Sequence, residues 1–118
     1  MPAQKHTGSC QCGAVAFDVN VDLSSTITCN CSRCRRSGTI LAFAPWDHFT
    51  LIKGEDATTE FQFNKHLIHH KFCTTCGIQS YAQGVDPKGQ KTAAVNVRCL
   101  DGVDLDALTP HKFNGAKI

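Results

Sequence analysis

The spacing of the cysteines constrains this chain more than any other feature of its sequence. Eight cysteines occur in 118 residues, and all except Cys99 fall into three tight groups. Short spacings of this kind let two or three sulfurs reach one tetrahedral ion, and thiolates are soft ligands that suit zinc. The sequence therefore predicts zinc binding. The groups are a C-x-C pair (Cys10, Cys12), a C-x-C-x-x-C run (Cys29, Cys31, Cys34) and a C-x-x-C pair (Cys73, Cys76).

Two other uses of these cysteines fit the sequence less well. A disulfide scaffold is typical of small secreted chains, whereas 118 residues, of which 42% are hydrophobic, can bury a core without such crosslinks. Cysteines at C-x-C spacing also bridge each other poorly, because disulfide geometry is demanding. A redox site at Cys73 and Cys76 has the required spacing but lacks the expected strand–helix–strand context.

The grouped cysteines divide naturally into a set of four and a set of three. Two pairs make a closed four-thiolate site of the structural kind, and binding of its ion would contribute to folding. Gly13 and Gly77 each follow the second cysteine of a pair, where glycine lets the backbone turn so that N–H groups point at the sulfurs. The opposite pairing of the groups remains possible. The predicted ligands of this closed site are Cys10, Cys12, Cys73 and Cys76.

The other set lies in one short loop and supplies three thiolates. Catalytic zinc sites often have three protein ligands and keep a fourth position for water or substrate. The triad of Cys29, Cys31 and Cys34 is therefore predicted to hold zinc with a position open to a substrate thiol. Completion of a second structural site by Cys99 or by a histidine is the alternative. Cys99 itself continues an apolar strand in phase, so a buried, inert thiol is expected there.

Three arginines lie in or beside the loop that carries the triad. Arg33 stands between two of its cysteines, and Arg35 and Arg36 follow the last one. Guanidinium groups can neutralise a thiolate-rich site or pair with the carboxylates of a substrate. Arg33 is the predicted substrate-binding residue because it lies inside the ligand loop, while a solvated basic face is the alternative for each of the three arginines. Among the histidines that precede Cys73, His70 is best placed to support a ligand.

Hydrophobic periodicity predicts a mainly β chain with little helix, organised as a single domain over residues 1–118. Within Ala14–Val21, the apolar side chains alternate with polar ones, and Thr92–Leu100 is a second clear strand. Helical turns are predicted only at Ser32–Arg36 and Asp104–Leu108. The other predicted strands are Thr39–Ala44, Phe49–Ile52, Thr58–Phe63, Leu67–Phe72 and Ile78–Gln83.

Charge and hydrophobicity argue against nucleic acids and membranes as partners of this chain. The formal net charge is only +2, which does not favour a nucleic-acid ligand. The apolar runs are far shorter than the roughly 18 residues of a membrane helix, so no membrane association is expected. The first residues do not show the pattern of a signal peptide, so a cytoplasmic location is expected.

Four segments resemble, in order, the motifs of the glutathione-dependent formaldehyde-activating enzyme family, which is also called the Gfa or centromere protein V family. Together they extend from Gly8 to about Leu108, and as a set they are highly specific, whereas a single C-x-x-C would not be. The segments are Gly8–Val15 (GSCQCGAV), Cys29–Gly38 (CNCSRCRRSG), Phe72–Gly77 (FCTTCG) and Asn96–Leu105 (NVRCLDGVDL).

The resemblance implies an Mss4-like, or β-tent, zinc fold built of several short antiparallel sheets. It also implies a structural zinc on the four-cysteine set and a second zinc on the triad, whose open position is the active site. The activity that gives the family its name joins glutathione to formaldehyde to form S-(hydroxymethyl)glutathione, a reaction of the carbon–sulfur lyase class.

The sequence thus supports a zinc-dependent lyase that adds a thiol such as glutathione to formaldehyde or another small aldehyde. The catalytic positions would be Cys29, Cys31 and Cys34, with Arg33 binding substrate. The alternative is a non-catalytic zinc module that binds a protein partner. One structural feature distinguishes the two hypotheses: an enzyme needs a triad that lacks a fourth protein ligand.

Overall fold

A computed structural model describes residues 3–62 and 68–117, and within these ranges the chain forms ten strands and one α-helix. The strands build one sheet in the order β1-β2-β5 and a second in the order β10-β3-β4-β9-β8-β7-β6. Paired strands are antiparallel except for β3 and β10, which are parallel. The elements are β1 (Gln4–Ser9), β2 (Ala16–Val21), β3 (Ile27–Cys29), α1 (Ser32–Ser37), β4 (Leu41–Pro45), β5 (Phe49–Lys53), β6 (Thr58–Phe61), β7 (His69–Cys73), β8 (Gln79–Val85), β9 (Lys91–Asn96) and β10 (His111–Phe113).

The hydrophobic core lies between the two sheets. Alternation along β2 turns one row of side chains inward, and Phe17 in that row is only 1% exposed. Its ring stacks on Phe49 of β5 at 5.3 Å, and Phe49 in turn lies 4.7 Å from the Tyr81 ring of β8. Each fully buried side chain of this kind stabilises the fold by roughly 1.5–3 kcal/mol. The core therefore fixes β8, which carries residues of the candidate site, against the smaller sheet.

The prediction of a mainly β chain with little helix is confirmed, but the strand predicted at Thr92–Leu100 is too long. Strand β9 ends at Asn96, whose side-chain oxygen accepts a hydrogen bond from the backbone N–H of Arg98. This local bond favours a 3₁₀ turn over Val97–Cys99 instead of further strand. Val97 stays fully buried despite the turn.

Other boundaries shift for local reasons. The helical turn at Ser32–Arg36 is confirmed as α1, whereas Asp104–Leu108 forms only a 3₁₀ turn at Leu105–Ala107. Asp104 caps that turn by accepting a hydrogen bond from the N–H of Asp106. The predicted strands Thr58–Phe63 and Leu67–Phe72 extend in part into residues 63–67, which lie outside the described ranges. No helix among the described residues is long and apolar enough to cross a membrane.

Candidate metal centre

The first cysteine cluster joins two hairpin-like turns that lie about 60 residues apart in sequence. Each turn is closed by a hydrogen bond from the N–H of its first cysteine to the carbonyl five residues later, at 3.0 Å in both cases. Gly13 and Gly77 have positive φ angles of 82° and 79°, a conformation that glycine adopts without strain. The predicted role of these glycines is thereby confirmed. The cluster consists of Cys10, Cys12, Cys73 and Cys76, whose sulfurs all lie within 4.8 Å of one another.

Backbone N–H groups stabilise thiolates in this cluster. The sulfur of Cys73 accepts hydrogen bonds from the N–H groups of Thr75 and Cys76, at 3.3 and 3.5 Å, and these lower its pKa. The backbone N–H groups of Ile78 and Cys12 lower the pKa of Cys76 to about 6. Deprotonated sulfur is the form that binds metal ions. Cys73 and Cys76 are therefore favoured as thiolates. For Cys12, the N–H of Ala14 acts to lower the pKa, but hydrogen bonds with the neighbouring sulfurs, together with burial, raise it to about 11.

The triad forms a second cluster where β3 leads into α1. The sulfurs of Cys29, Cys31 and Cys34 lie within 4.8 Å of one another, and all three residues are half-buried. The N–H of Cys31 donates to the sulfur of Cys29, and the N–H of Cys34 donates to the sulfur of Cys31, both at 3.4 Å. Cys31 is thus the N-cap of α1. Because Cys34 follows it by three residues, the N–H of Cys34 lies in the first helical turn, where it can donate to the sulfur of the N-cap residue.

Burial and hydrogen bonding set the protonation of the triad. Burial raises the pKa of Cys34 to about 12, and contact with the neighbouring sulfurs adds to the effect. Burial also acts to raise the pKa of Cys31, but the hydrogen bonds to its sulfur, first among them that from the N–H of Cys34, together outweigh burial, and the pKa is lowered. Cys31 is therefore favoured over Cys34 to carry negative charge. Both clusters could hold a metal ion. Among residues 3–62 and 68–117, the cluster at the triad consists of three ligand atoms, one from each cysteine.

Arg33 projects from α1 towards β8, where a neutral side chain and two aromatic rings hold its guanidinium group. Its Nε and Nη2 both donate to the side-chain oxygen of Gln79, at 3.2 and 2.8 Å. The guanidinium lies over the Phe61 ring, 4.9 Å from its centroid, and 5.9 Å from that of Phe72. Because Gln79 is neutral and cation–π contacts leave the charge in place, Arg33 keeps its full positive charge.

The network continues from Gln79 to the buried His70. The Gln79 oxygen faces Arg33, so its amide nitrogen donates to Nδ1 of His70, at 3.4 Å. Burial lowers the pKa of His70 to about 4, and the charges of Arg33 and His69 add to this shift. His70 is therefore neutral near pH 7, and it supports Arg33 through Gln79. His69, in contrast, pairs with Glu60 at 2.6 Å, and His66 lies outside the described residues.

A cleft of about 870 Å³ separates α1 from the turn of the first cluster. Arg33 and Arg36 line it from α1, and Arg98 lines it from the turn after β9. Arg36 donates to the carbonyl of Ser32 at 2.8 Å, and Arg98 donates to the carbonyl of Gly38 at 3.1 Å. The ion pairs found in the described ranges, which join Lys5 to Asp18 and Glu60 to His69 and Lys71, include none of these three arginines. The cleft therefore has a cationic wall, opposed by one exposed carboxylate, Asp101.

Arg98 and Gln79 are site residues that the sequence did not reveal, because only the pairing of β8 with β9 brings them beside α1. Cys99 also differs from its prediction, since it is half-buried and lines the cleft instead of lying buried in a strand. Its sulfur points towards the carbonyl of Gln79, 3.9 Å away. Burial raises the pKa of Cys99, and the sulfurs that add to this effect belong to Cys10 and Cys76.

Comparison with known proteins supports the arrangement. A crystal structure of a Rhodobacter sphaeroides protein has a TM-score of 0.81 to this chain, with 33% sequence identity over 92% of this chain and 99% of that chain. This likeness is consistent with an Mss4-like fold. The model of the glutathione-dependent formaldehyde-activating enzyme family matches residues 5–114, which include both cysteine clusters. The family suggests a formaldehyde-activating function, and this chain belongs to the glutathione-dependent formaldehyde-activating enzyme family.

Proposed function

We propose that this protein is a zinc-dependent carbon–sulfur lyase that adds glutathione, or a similar thiol, to formaldehyde or another small aldehyde. The observation that carries the proposal is the triad, in which three sulfurs converge without a fourth protein ligand among the described residues, beside a cleft with a cationic wall. We place the reaction in the cytoplasm, because free thiolate clusters persist in a reducing compartment.

The donor atoms of both clusters suit zinc. A tetrahedral ion with Zn–S distances of about 2.3 Å holds its sulfurs about 3.8 Å apart. In the first cluster, the sulfur of Cys12 lies 3.7 Å from that of Cys10 and 3.6 Å from that of Cys73. Four thiolates would hold a structural zinc there, and Cys29, Cys31 and Cys34 would hold the second zinc.

At the triad, a bound zinc would supply an acceptor for the substrate sulfur and keep it as a thiolate near neutral pH. Cys29, Cys31 and Cys34 would be its ligands, and their N–H···S hydrogen bonds fix the loop in the required shape. In the overall reaction the sulfur forms a bond to the carbonyl carbon, the C–O π bond breaks, and the thiol proton ends on the hydroxyl group of the product.

The rest of the thiol would be bound by the arginines of the cleft. Glutathione carries two carboxylates, and guanidinium groups bind carboxylates through charge-assisted hydrogen bonds. Arg33 is the main candidate because it lies in the triad loop and is positioned by Gln79 without losing its charge. Arg36 and Arg98 would contact the same ligand from the sides of the cleft.

The experiment is exchange spectroscopy by NMR with ¹³C-formaldehyde and glutathione, which measures interconversion of formaldehyde and S-(hydroxymethyl)glutathione at equilibrium. The zinc-loaded protein should accelerate exchange above the spontaneous rate, and Cys31→Ser should abolish that acceleration while keeping the first cluster loaded. Arg33→Ala should weaken saturation by glutathione. Arg35→Ala is its matched control, because Arg35 is exposed on the same helix and does not line the cleft.

Exchange at the spontaneous rate with a fully loaded protein would reject the lyase. The same result would favour the alternative, a non-catalytic zinc module for a protein partner. Acceleration that survives Cys31→Ser would place the reaction away from the triad.

A further inference from the structure

The C-terminal end of the described chain passes directly beside the triad. Strand β10 runs parallel to β3, and Phe113 is paired with Cys29. The N–H of Asn30, which lies between two triad cysteines, donates to the carbonyl of Phe113 at 3.3 Å. We call residues 113–116 the C-terminal strap. The strap adds a second element to a site whose ligands all come from one short loop.

The side chain of Asn30 fastens the strap at two further points. Its amide nitrogen donates to the side-chain oxygen of Asn114 at 2.9 Å, and its oxygen accepts from the N–H of Ala116 at 3.0 Å. One amide thus uses both of its polar ends on the same four-residue segment. Because Asn30 follows Cys29 and precedes Cys31, these bonds restrict the backbone between two of the triad residues.

Gly115 brings the strap into contact with a triad sulfur. A Cβ atom placed on Gly115 would lie 2.5 Å from the sulfur of Cys29 and 3.4 Å from the Cβ of Cys31. The distance to the sulfur is shorter than a van der Waals contact, so a side chain at this position would clash with Cys29. The φ angle of Gly115 is not in the left-handed region, so its conformation does not itself require glycine. Space for the sulfur is therefore the physical reason for glycine at this position.

We propose that the C-terminal strap is part of the triad site. Asn30 and Asn114 are positioning residues that hold Cys29 in the converging arrangement, and the backbone of Gly115 covers one side of its sulfur. The strap accordingly slows both release of a metal ion from the triad and attack of reagents on Cys29. The part that concerns metal release depends on the proposed function, because it requires that the triad bind an ion.

The test uses the full chain with Gly115→Ala and Asn114→Ala. After loading with zinc, release to a chromogenic chelator is followed in time, and each variant should release one of two ions about 10-fold faster or more, since groups that orient a ligand typically change affinity by 10–100-fold. In metal-free, reduced protein, alkylation by iodoacetamide is followed by peptide mass spectrometry, and the modification of Cys29 should accelerate relative to that of Cys34.

Matched controls separate these effects from general damage. Gly84→Ala adds the same methyl group where a Cβ would meet its nearest atoms at an ordinary 3.8 Å, and Asn20→Ala removes an exposed amide from β2. Both controls should leave zinc release and alkylation unchanged.

Different results overturn the two proposals. Binding of a single zinc by the unmodified chain would reject the proposed function, while the alkylation measurement still tests the strap. Two zinc ions that leave Gly115→Ala and Asn114→Ala at the control rates, with unchanged alkylation of Cys29, would overturn the strap. Equal acceleration of both ions would overturn it as well, because the effect would then be global.

Discussion

Replacing Gln79 with Glu changes one heavy atom of the site and neutralises the positive charge that Arg33 presents to the cleft. In the native chain, a neutral amide oxygen accepts two hydrogen bonds from the guanidinium, at 3.2 and 2.8 Å. The negatively charged carboxylate of the glutamate would accept the same two hydrogen bonds from Arg33. Arg33 would keep its position but would no longer present an unpaired cation to the cleft.

The size of the effect follows from this geometry. Hydrogen bonds between charged groups contribute about 1.5–3 kcal/mol, and Arg33 is half-buried, so solvent screens the new pair only in part. A ligand carboxylate would have to compete with the glutamate for the same donors. Since 1.4 kcal/mol is a factor of ten, we expect the Kd of glutathione to rise about 10-fold or more.

Calorimetric titration with glutathione measures this change, and titration with 2-mercaptoethanol, which has no carboxylate, shows whether it is specific. Gln83→Glu is the matched control, because it makes the same substitution four residues along β8, on a residue that does not line the cleft. Unchanged affinity of Gln79→Glu for glutathione would refute the reasoning. An equal loss of affinity for the neutral thiol would refute it too, because the effect would not be electrostatic.

Three further perturbations have expected outcomes. Cys73→Ser breaks the closed cluster and should lower the Tm by about 10 °C or more in thermal unfolding, because structural metal binding contributes to folding. Cys31→Ser should leave the Tm within a few degrees but reduce the zinc content by one ion per chain, as measured by atomic absorption. His70 should remain neutral, with its proton on Nε2, in imidazole ¹⁵N NMR spectra down to about pH 5, because its pKa is about 4. In the unfolded chain, the same imidazole takes up its proton near pH 6.5. The stability contributed by His70 is therefore fully present above pH 6.5 and is lost as the pH falls towards 4. Urea unfolding as a function of pH should show a loss on the order of 3 kcal/mol in the free energy of unfolding.

The sequence was sufficient for features that depend on short spacings. The triad, the turns at Gly13 and Gly77 and the inward face of β2 all follow from residues within a few positions of one another. Joining the two cysteine pairs in one cluster needs a contact across 61 residues, and the opposite pairing of the groups had remained possible. Strands β1, β3 and β10 were not predicted, because their side chains are mostly polar or partly exposed, and the pairing of β10 with β3 joins distant segments. The C-terminal strap was missed for the same reason, since Asn30 and Asn114 are 84 residues apart.

Gln79 links the two cysteine clusters. It directly follows Ile78, whose carbonyl closes the turn of the first cluster by accepting from the N–H of Cys73 at 3.0 Å. Its own carbonyl accepts from the side-chain amide of Asn96 at 2.9 Å, and its side chain holds Arg33 beside the triad. A metal ion in the first cluster would therefore stabilise the start of β8, and through it the position of Arg33. If the cleft binds an anionic thiol as proposed, the closed cluster would influence its affinity, because Gln79 adjoins the turn of that cluster and also holds Arg33.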